Sequence, residues 1–295
     1  MAEAKKIGIF FKTGISRSQT GSSYLARMLG PRFVVSSNGH YPGNYVEQAL
    51  SAWECEKARP EVSRQLCETS KRKFLPETKL EIEGRRFRVK FYSYRGRLKS
   101  LLENAAYRSE AMRNFQMMEY CHSVGVLAPK PLLLMEGRLA GMALESLLIM
   151  EDLDPARSYK ETLKELEADP AELNKFLREV FSSLARFNRT GIYTLDADKN
   201  ILVKRQGGQY QIYYFDFDNV FPFRKNNPRR AGRSLAFLIR TRKLYQKLAP
   251  DQIAGLVDLY LEGIGKRGWK DAVLREISGR LSKKSAAFAP AKKPG

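Results

Sequence analysis

The spacing of apolar residues in the first half of the chain predicts an antiparallel sheet interrupted by one helix. Residues 79–92 read as a β-hairpin that turns at Gly84, because apolar and basic side chains alternate in its second strand. The apolar runs at 132–135 and 147–150 lie on either side of a glycine-containing turn and predict a second hairpin. Between the two hairpins, apolar side chains recur at helical spacing over residues 104–124.

The second half of the chain reads mainly as helices around one more hairpin. Residues 158–190 place apolar side chains on a single helical face. Residues 201–214 predict a hairpin, because a β-branched run is followed by Gly207-Gly208 and then by an alternating strand. Further helices are expected at residues 231–248, 251–260 and 269–281. The order predicts an α+β fold, with a small antiparallel-sheet N-lobe followed by a helical C-lobe.

Composition and pattern divide the chain into four parts. Residues 1–62 form an N-terminal extension without an assigned role. The N-lobe covers residues 63–151 and the C-lobe covers residues 152–281. Residues 282–295 are rich in lysine, alanine and proline, and this composition predicts a disordered basic tail.

Composition also limits the class of protein. The 295 residues include three cysteines without a Cys-x-x-Cys pair and two histidines, so a disulfide framework or a zinc site is not expected. The small number of cysteines and their wide spacing fit a reducing cytoplasm. The N-terminus has no apolar stretch long enough for a signal peptide, and no window of the sequence approaches the ~18 apolar residues of a membrane-spanning helix. We therefore expect a soluble protein.

The charge of the chain points to an anionic partner. The formal net charge is +20, from 52 Lys and Arg against 32 Asp and Glu. Residues 224–247 contain nine basic residues and no acid, and a second basic cluster lies at 85–99. Such a field attracts nucleic acid, an anionic membrane surface or a phosphorylated glycolipid. Nucleic acid is the least expected partner, because the sequence has no RNA- or DNA-binding motif and its aromatic residues are spaced as core residues.

Polar residues around the third hairpin carry the candidate chemistry. Asp196 and Asp198 precede the hairpin, Asn200 stands at its start, and Asp216 follows its second strand. In protein-kinase-like sites a loop Asp orients the acceptor hydroxyl, while an Asn and a later Asp hold Mg²⁺. The spacing therefore predicts a phosphoryl-transfer site with either Asp196 or Asp198 as the acceptor-orienting carboxylate. Asp196 is preferred, because Asp198 stands beside Lys199 and is expected in a solvent-facing turn.

With these residues placed, the chain resembles the lipopolysaccharide-core kinase family, the Kdo and heptose kinases of Gram-negative bacteria. The resemblance covers roughly residues 65–250. Four stretches carry it: residues 83–96 with Lys90, residues 113–132 with a Pro-x-Pro exit from the helix, residues 191–203 with Asp196 and Asn200, and residues 215–218 with the later Arg-x-x-Arg helix at 230–240.

The resemblance implies ATP and Mg²⁺ as cofactors and a role for each motif residue. Lys90 would contact the ATP phosphates, Asp196 would act as the base, and Asn200 and Asp216 would bind Mg²⁺. Glu110 would pair with the lysine. Glu151, where the chain leaves the sheet, is the further cofactor-binding candidate. The candidates for contact with substrate or membrane are Arg224, Arg229, Arg230, Arg233 and Arg240.

The implied substrate is a sugar hydroxyl of a lipopolysaccharide-core glycolipid, presented at the inner face of the cytoplasmic membrane. The implied location is cytoplasmic, with peripheral attachment to that membrane.

Three departures from the family pattern keep a second function open. Asp196 lies four residues before Asn200, where the family has five. Gap-free alignment places Asn114 where the family has the helix acid, so Glu110, one turn earlier, is the substitute. No glycine-rich loop precedes Lys90, since residues 65–74 contain no glycine. The alternative is therefore a degenerate pseudokinase that regulates envelope assembly by binding partners.

Overall fold

The computed structural model describes residues 33–37, 41, 44–59, 61–62, 73–94, 108–139, 142–194, 196–217, 220–222 and 226–282. They divide into two compact units, one formed by the described residues within 1–115 and 131–152, the other by those within 116–130 and 153–295. Arg224, the glycine-free stretch before residue 73 and the expected tail after residue 282 lie outside the described residues.

The first unit contains a five-stranded antiparallel sheet in the order β1-β4-β5-β3-β2. Its strands are β1 Phe33–Ser37, β2 Lys73–Ile82, β3 Arg85–Ser93, β4 Pro131–Leu139 and β5 Met142–Glu151. Glu83 and Gly84 both have positive φ (49° and 71°), as expected for a two-residue turn that matches the twist of the strands. Both hairpins predicted from the sequence are present.

Two helices lie between strands of this sheet in chain order, one between β1 and β2 and one between β3 and β4. Helix α1, Asn44–Lys57, packs Tyr45 and Trp53 against Phe87 and Val89 of β3 in one buried cluster. Strand β1 and helix α1 therefore extend the sheet unit, although both precede the boundary drawn at residue 63. Helix α2 is Glu110–Ser123, within the range predicted for it.

The second unit is mainly helical. Its elements are β6 Arg157–Ser158, α3 Tyr159–Glu165, α4 Pro170–Arg189, β7 Ile192–Thr194, β8 Ile201–Gln206, β9 Gln209–Tyr214, β10 Val220–Pro222, α5 Pro228–Arg240, α6 Pro250–Gly263 and α7 Lys270–Ser282, with 3₁₀ turns at Leu166–Ala168, Thr241–Gln246 and Arg267–Trp269. Strands β6, β8 and β9 form one sheet, and β7 pairs with β10. No helix among the described residues combines the length and the apolar character needed to cross a bilayer.

Two of the helices predicted in this half are interrupted. The range 158–190 breaks between α3 and α4, where Asp169 caps α4 by accepting from the backbone N–H groups of Ala171 and Glu172. The range 231–248 ends its helix at Arg240, and Arg242 and Lys243 then take positive φ (51° and 55°). Neither residue is a glycine, so the local pattern gave no sign of this turn.

Candidate active site

Strand pairing brings the two loops of the predicted site together. The Asp196 loop, described over residues 196–200, runs from β7 to β8, and the Asp216 loop, described over residues 215–217, runs from β9 to β10. Strand β8 pairs with β9, with Ile201 opposite Tyr214, and β7 pairs with β10, with Thr194 opposite Val220. Because both loops are flanked by the same two pairs of strands, they lie side by side. The adjacency predicted from the hairpin is therefore present.

Asn200 is buried and its side chain is oriented by a neighbour. The side-chain amide nitrogen of Asn200 donates to the hydroxyl oxygen of Thr194 at 3.1 Å, and Asn200 is 6% exposed. The amide oxygen lies on the other side of the side-chain carbon and is directed away from Thr194. Thr194 stands on the strand before Asp196, so this strand orients the candidate metal-binding amide.

Asp216 has a strained backbone at the end of the hairpin. Strand β9 ends at Tyr214, and the backbone N–H of Phe215 donates to the carbonyl oxygen of Asn200 at 3.0 Å. Asp216 then takes a positive φ of 56°, a conformation that residues other than glycine rarely adopt and that clusters at functional sites. The carboxylate therefore leaves the Tyr210/Ile212/Tyr214 face at a left-handed residue, rather than continuing that face as simple alternation would have it.

The two aspartates of the Asp196 loop have different surroundings. Thr241 donates from its hydroxyl to Oδ2 of Asp198 at 2.9 Å, and Asp198 is half-buried. The solvent-facing turn expected for Asp198 was therefore wrong, because the end of α5 lies against it. Asp196 is half-buried, and its carbonyl oxygen accepts from the N–H of Lys199 at 3.1 Å in a tight turn.

Lys90 lies in a row of side chains on one face of β3. Side chains two residues apart share a strand face, so Lys90, Tyr92 and Tyr94 point the same way. Lys90 is only 4% exposed, and its Nζ lies 5.0 Å from the ring centroid of Tyr92. The rings of Tyr92 and Tyr94 stack at 6.3 Å. Lys90 is therefore a buried cation on an ordered face of the sheet and not a solvated base.

The same row reaches the start of helix α2. The backbone N–H of Ala111 donates to Oη of Tyr94 at 3.4 Å. Burial, followed by the charge of Glu110, raises the pKa of Tyr94. Asn114, the residue at the gap-free position, is buried and donates its amide to the carbonyl oxygen of Glu110 at 3.0 Å. The Asn114 amide therefore bonds within its own helix, and Glu110 lies close to the Tyr94 end of the Lys90 row.

A buried carboxylate that the sequence pattern did not reveal holds the start of α2. Ser109 caps the helix by accepting from the N–H of Met112 at 3.0 Å, and its hydroxyl donates to Glu136 of β4. Glu136 is fully buried and also accepts from Ser146 at 3.2 Å and from Nε of Arg138 at 3.0 Å. Since Glu110 is the first residue of α2, Glu136 anchors the turn that carries Glu110.

Glu151 lies on the other face of the sheet. Residues paired across antiparallel strands share a face, and Glu151 is paired with Phe87, which packs against Tyr41. Burial and then the charge of Glu151 raise the pKa of Tyr41. The Glu151 side chain therefore lies on the face of the sheet opposite Lys90. Only the backbone of Glu151 could contact a cofactor bound on the Lys90 face.

Asp152, the acid beside Glu151, pairs with two basic side chains. The Asp152 carboxylate is buried and accepts from Nε of Arg88 at 2.6 Å, with Nζ of Lys79 at 3.3 Å. These contacts join the end of β5 to β2 and β3. Asp152 therefore stabilises the edge of the sheet at which the first unit ends.

The arginines of α5 differ in exposure. Arg229 and Arg240 are exposed, whereas Arg230 and Arg233 are half-buried. The guanidinium of Arg230 lies 6.0 Å from the ring centroid of Tyr193, and Oη of Tyr193 donates to the Arg230 carbonyl oxygen at 2.7 Å. Two of the four candidates are therefore exposed on α5, whereas Arg230 packs against β7 and Arg233 packs against Phe237 of the same helix.

The basic stretch that follows α5 does have an opposing acid. Glu167 accepts from Nε of Arg242 and pairs with Nζ of Lys247 at 2.9 Å. The hydrogen bonds from these two cations hold the pKa of Glu167 down at about 2. The field expected from a run of bases without an acid is thus reduced at its end.

Asn200 and Asp216 fit a Mg²⁺ ion by the chemistry of their donors. Mg²⁺ prefers hard oxygen ligands and is usually held by one or two protein groups together with phosphate and water oxygens. The loops offer one amide oxygen and one carboxylate from adjacent positions of the hairpin. Within the described ranges, three or more His, Cys, Asp or Glu side chains do not gather as a metal cluster.

The fold and the paired loops place the protein in the class of kinase-like folds. The model of the lipopolysaccharide kinase (Kdo/WaaP) family matches residues 66–260, well over half of the chain, and the chain belongs to that family. Membership supports a kinase of the lipopolysaccharide core.

Solved structures with a similar fold share little sequence with this chain. One described as WaaP in complex with acyl carrier protein has a TM-score of 0.50 and 18% identity, and the match covers 73% of this chain and 83% of that one. An ethanolamine kinase of Plasmodium vivax gives a TM-score of 0.44 and 10% identity, over 95% of this chain and 86% of that one. No curated protein sequence matches the chain.

Proposed function

We propose that the protein is an ATP- and Mg²⁺-dependent kinase that phosphorylates a sugar hydroxyl of a lipopolysaccharide-core glycolipid. The double strand pairing that sets the Asp196 loop beside the Asp216 loop carries this proposal. It supports the assignment of Asp196 as the acceptor-orienting carboxylate and of Asn200 and Asp216 as the metal ligands, because phosphoryl transfer depends on such groups lying close together.

Each polar residue of the site has a role in binding. Asn200 and Asp216 would hold Mg²⁺, which supplies positive charge to offset the charge on the phosphate oxygens. Lys90, desolvated on its strand face, would bind phosphate oxygens of ATP. Glu110, at the end of the Lys90 row, would fix the lysine, and Glu136 would fix the helix that carries Glu110.

The transfer step assigns the proton to Asp196. The acceptor hydroxyl oxygen forms a bond to the γ-phosphorus of ATP while the bond from that phosphorus to the ADP oxygen breaks. The hydroxyl proton passes to the Asp196 carboxylate, which positions the hydroxyl by accepting its hydrogen bond. Asp198 is less suited to this role because one of its oxygens already accepts from Thr241.

The acceptor is proposed to reach the site from an anionic membrane surface. Each Lys or Arg near an anionic leaflet contributes about 1 kcal/mol, within a Debye length of ~8 Å at physiological salt. Arg229 and Arg240 are the exposed candidates on α5, and Arg224 lies outside the described residues. We therefore propose a cytoplasmic protein that attaches peripherally to the inner face of the membrane.

The test is phosphate transfer from ATP to deacylated core oligosaccharide, followed by mass spectrometry of the saccharide. The wild-type chain should transfer phosphate only with Mg²⁺ present, and Asp216→Asn should not transfer it. The second candidate, a pseudokinase, is favoured by the four-residue spacing from Asp196 to Asn200. It predicts that wild type and Asp216→Asn are equally without transfer.

A further inference from the structure

A cavity of about 500 Å³ lies between helices α5 and α7 and is lined mainly by arginines. The charged side chains at its wall are Arg229, Arg233, Arg240, Arg275, Arg280 and Glu276. Glu276 is paired with Arg280, Nε to Oε1 at 2.5 Å. Among the described residues, no carboxylate lies within ion-pair distance of the other four arginines. The cavity is therefore strongly cationic.

Two of the guanidinium groups lie against the ring of Phe237. Those of Arg240 and Arg233 lie 4.8 Å and 5.8 Å from the ring centroid of Phe237, which also lines the cavity. Nε of Arg233 is buried, and within the described part of the chain it has no hydrogen-bond partner. A buried donor of this kind needs an acceptor, which a water molecule or a bound anion can supply.

The shape of the cavity follows from two glycines. A Cβ on Gly232 of α5 would lie 2.7 Å from Cβ of Glu276, so the two helices are in close contact there. A Cβ on Gly279 of α7 would meet no atom within 4 Å, which leaves open space where this residue lines the cavity. The helices thus touch at Gly232, and space remains open at Gly279.

The cavity is one strand away from the Asp196 loop. Ser234 of α5 donates from its hydroxyl to the carbonyl oxygen of Thr194 at 3.0 Å. Burial raises the pKa of Tyr193, and the positive charges of Arg233 and Arg280 partly offset this rise. Both arginines line the cavity, so the cavity lies close to Tyr193 of β7. Asp196 follows Thr194 by two residues, at most about 7 Å in extended backbone.

We propose that this cavity binds a phosphate group already present on the saccharide acceptor, and thereby positions a neighbouring sugar hydroxyl at the Asp196 loop. Arginine binds phosphate through paired N–H groups, and a dianionic phosphate matches several guanidinium groups with a single carboxylate among them. The volume exceeds that of a phosphate and lies within the range of pockets that hold small ligands, so part of a saccharide fits with it. The proposal rests on the kinase function above and names a feature of its acceptor. It implies that a phosphorylating reaction precedes this one.

Helix α7 supplies part of this site from outside the range that the family model matches. That range ends at residue 260, whereas Arg275, Gly279 and Arg280 follow it. The resemblance on which the kinase roles rest therefore does not assign them.

The test is calorimetric titration of the full chain, without nucleotide or Mg²⁺, with deacylated core oligosaccharide before and after enzymatic removal of its phosphate groups. The phosphorylated form should bind at least about ten-fold more tightly, since several charge-assisted hydrogen bonds depend on the phosphate. Gly279→Phe, which fills the cavity and keeps every arginine, should abolish the preference, and so should Arg233→Gln with Arg275→Gln. The matched controls are Gly255→Phe, at an exposed glycine of α6 with equal space, and Arg178→Gln, at an exposed arginine of α4.

Several results would overturn the proposal. Equal binding of the dephosphorylated oligosaccharide would show that phosphate is not recognised. Equal affinity for inorganic phosphate would show an anion site that ignores the saccharide. Binding to phosphatidylglycerol vesicles that Gly279→Phe removes, without binding of either oligosaccharide, would assign the cavity to the membrane surface. Because nucleotide is absent, preference for the phosphorylated form would remain measurable even if the chain transferred no phosphate, so the two proposals fail separately.

Discussion

The side-chain amide of Asn200 donates a hydrogen bond to the hydroxyl of Thr194, six residues earlier, at 3.1 Å. Both residues are buried, and they lie at the two ends of the Asp196 loop. This bond ties the strand before the loop to the residue that begins the hairpin, and it directs the amide oxygen away from Thr194. The orientation of a candidate metal ligand therefore depends on a neighbour that does not itself bind the metal.

Thr194→Val should weaken metal use without unfolding the protein. Valine keeps the volume of threonine and removes the hydroxyl, so Asn200 loses the bond that orients it. We expect the Mg²⁺ concentration for half-maximal activity to rise about ten-fold, in line with other losses of a group that orients a metal ligand. Activity titrated with Mg²⁺ measures this. An unchanged Mg²⁺ dependence would show that Asn200 is oriented in another way.

Asp196 and Asp198 should separate into a catalytic and a structural residue. Asp196→Asn should reduce kcat by at least about a hundred-fold and leave ATP binding intact, because it removes the proton acceptor. Asp198→Asn should cost about 1 kcal/mol of unfolding free energy through the weakened bond to Thr241, with kcat largely kept. Steady-state kinetics and denaturant unfolding measure the two effects. The reverse pattern would assign the acceptor role to Asp198.

Glu136→Gln should lower the free energy of unfolding more than the same substitution at an exposed strand position. The fully buried carboxylate accepts from Ser109, Ser146 and Arg138, and breaking a buried ion pair costs about 3 kcal/mol or more. Denaturant unfolding measures the loss. Glu81→Gln, at an exposed position of β2, is the matched control and should be near neutral. Similar midpoints for both variants would contradict the anchoring role of Glu136.

The pairing of Glu167 with Arg242 and Lys247 should make the stability of the protein depend on pH in the acid range. The pKa of Glu167 in the folded protein is about 2, below its usual 4.5, so its contribution to stability is present above pH 4.5 and is lost as the pH falls toward 2. Glu167→Gln should therefore be less stable than wild type at neutral pH, and the two should converge below about pH 2 to 3. Thermal unfolding across this range measures it. A difference that does not change with pH would have another origin.

Local pattern was sufficient for the parts of the site that lie on one hairpin. Alternation and the Gly-Gly turn predict β8 and β9, and the hairpin then sets Asn200 beside Asp216. Pattern could not predict contacts between distant segments, such as Ser109 with Glu136 or Asp198 with Thr241, since each depends on the packed fold. The arginine cavity depends on the packing of α7 against α5, and no motif in the sequence points to Arg275 or Arg280.

The exposed charge of the protein also depends on contacts between distant segments. A run of bases without an acid predicts a free cationic surface, but an acid 75 residues from Arg242 pairs with it. Arg230 and Arg233 are half-buried against Tyr193 and Phe237. Net charge is a property of the sequence, whereas the exposed charge is a property of the fold.

Arg229→Glu with Arg240→Glu should test the membrane contact, since both are exposed and their reversal leaves Arg230 and Arg233 in place. We expect sedimentation with anionic vesicles at low salt to be lost, because each charge contributes about 1 kcal/mol near the surface. Binding of ATP should be unchanged.

The matched control for this variant reverses the same number of charges elsewhere on the second unit. Lys164→Glu with Arg178→Glu changes two exposed bases, on α3 and α4, and should leave sedimentation close to that of wild type. An equal loss in both variants would show that only the net charge matters. Unchanged sedimentation of the Arg229 and Arg240 variant would remove α5 from the membrane contact.

The kinase function is tested most directly by following labelled phosphate from the γ-position of ATP to deacylated core oligosaccharide. The wild-type chain should label the saccharide in the presence of Mg²⁺. Asp216→Asn and Lys90→Met should each abolish the label, and both proteins should remain folded by circular dichroism. Transfer by wild type that either variant retains would contradict the assigned site. Binding of Mg²⁺-ATP by wild type without any transfer to the saccharide would contradict the kinase function and favour the pseudokinase.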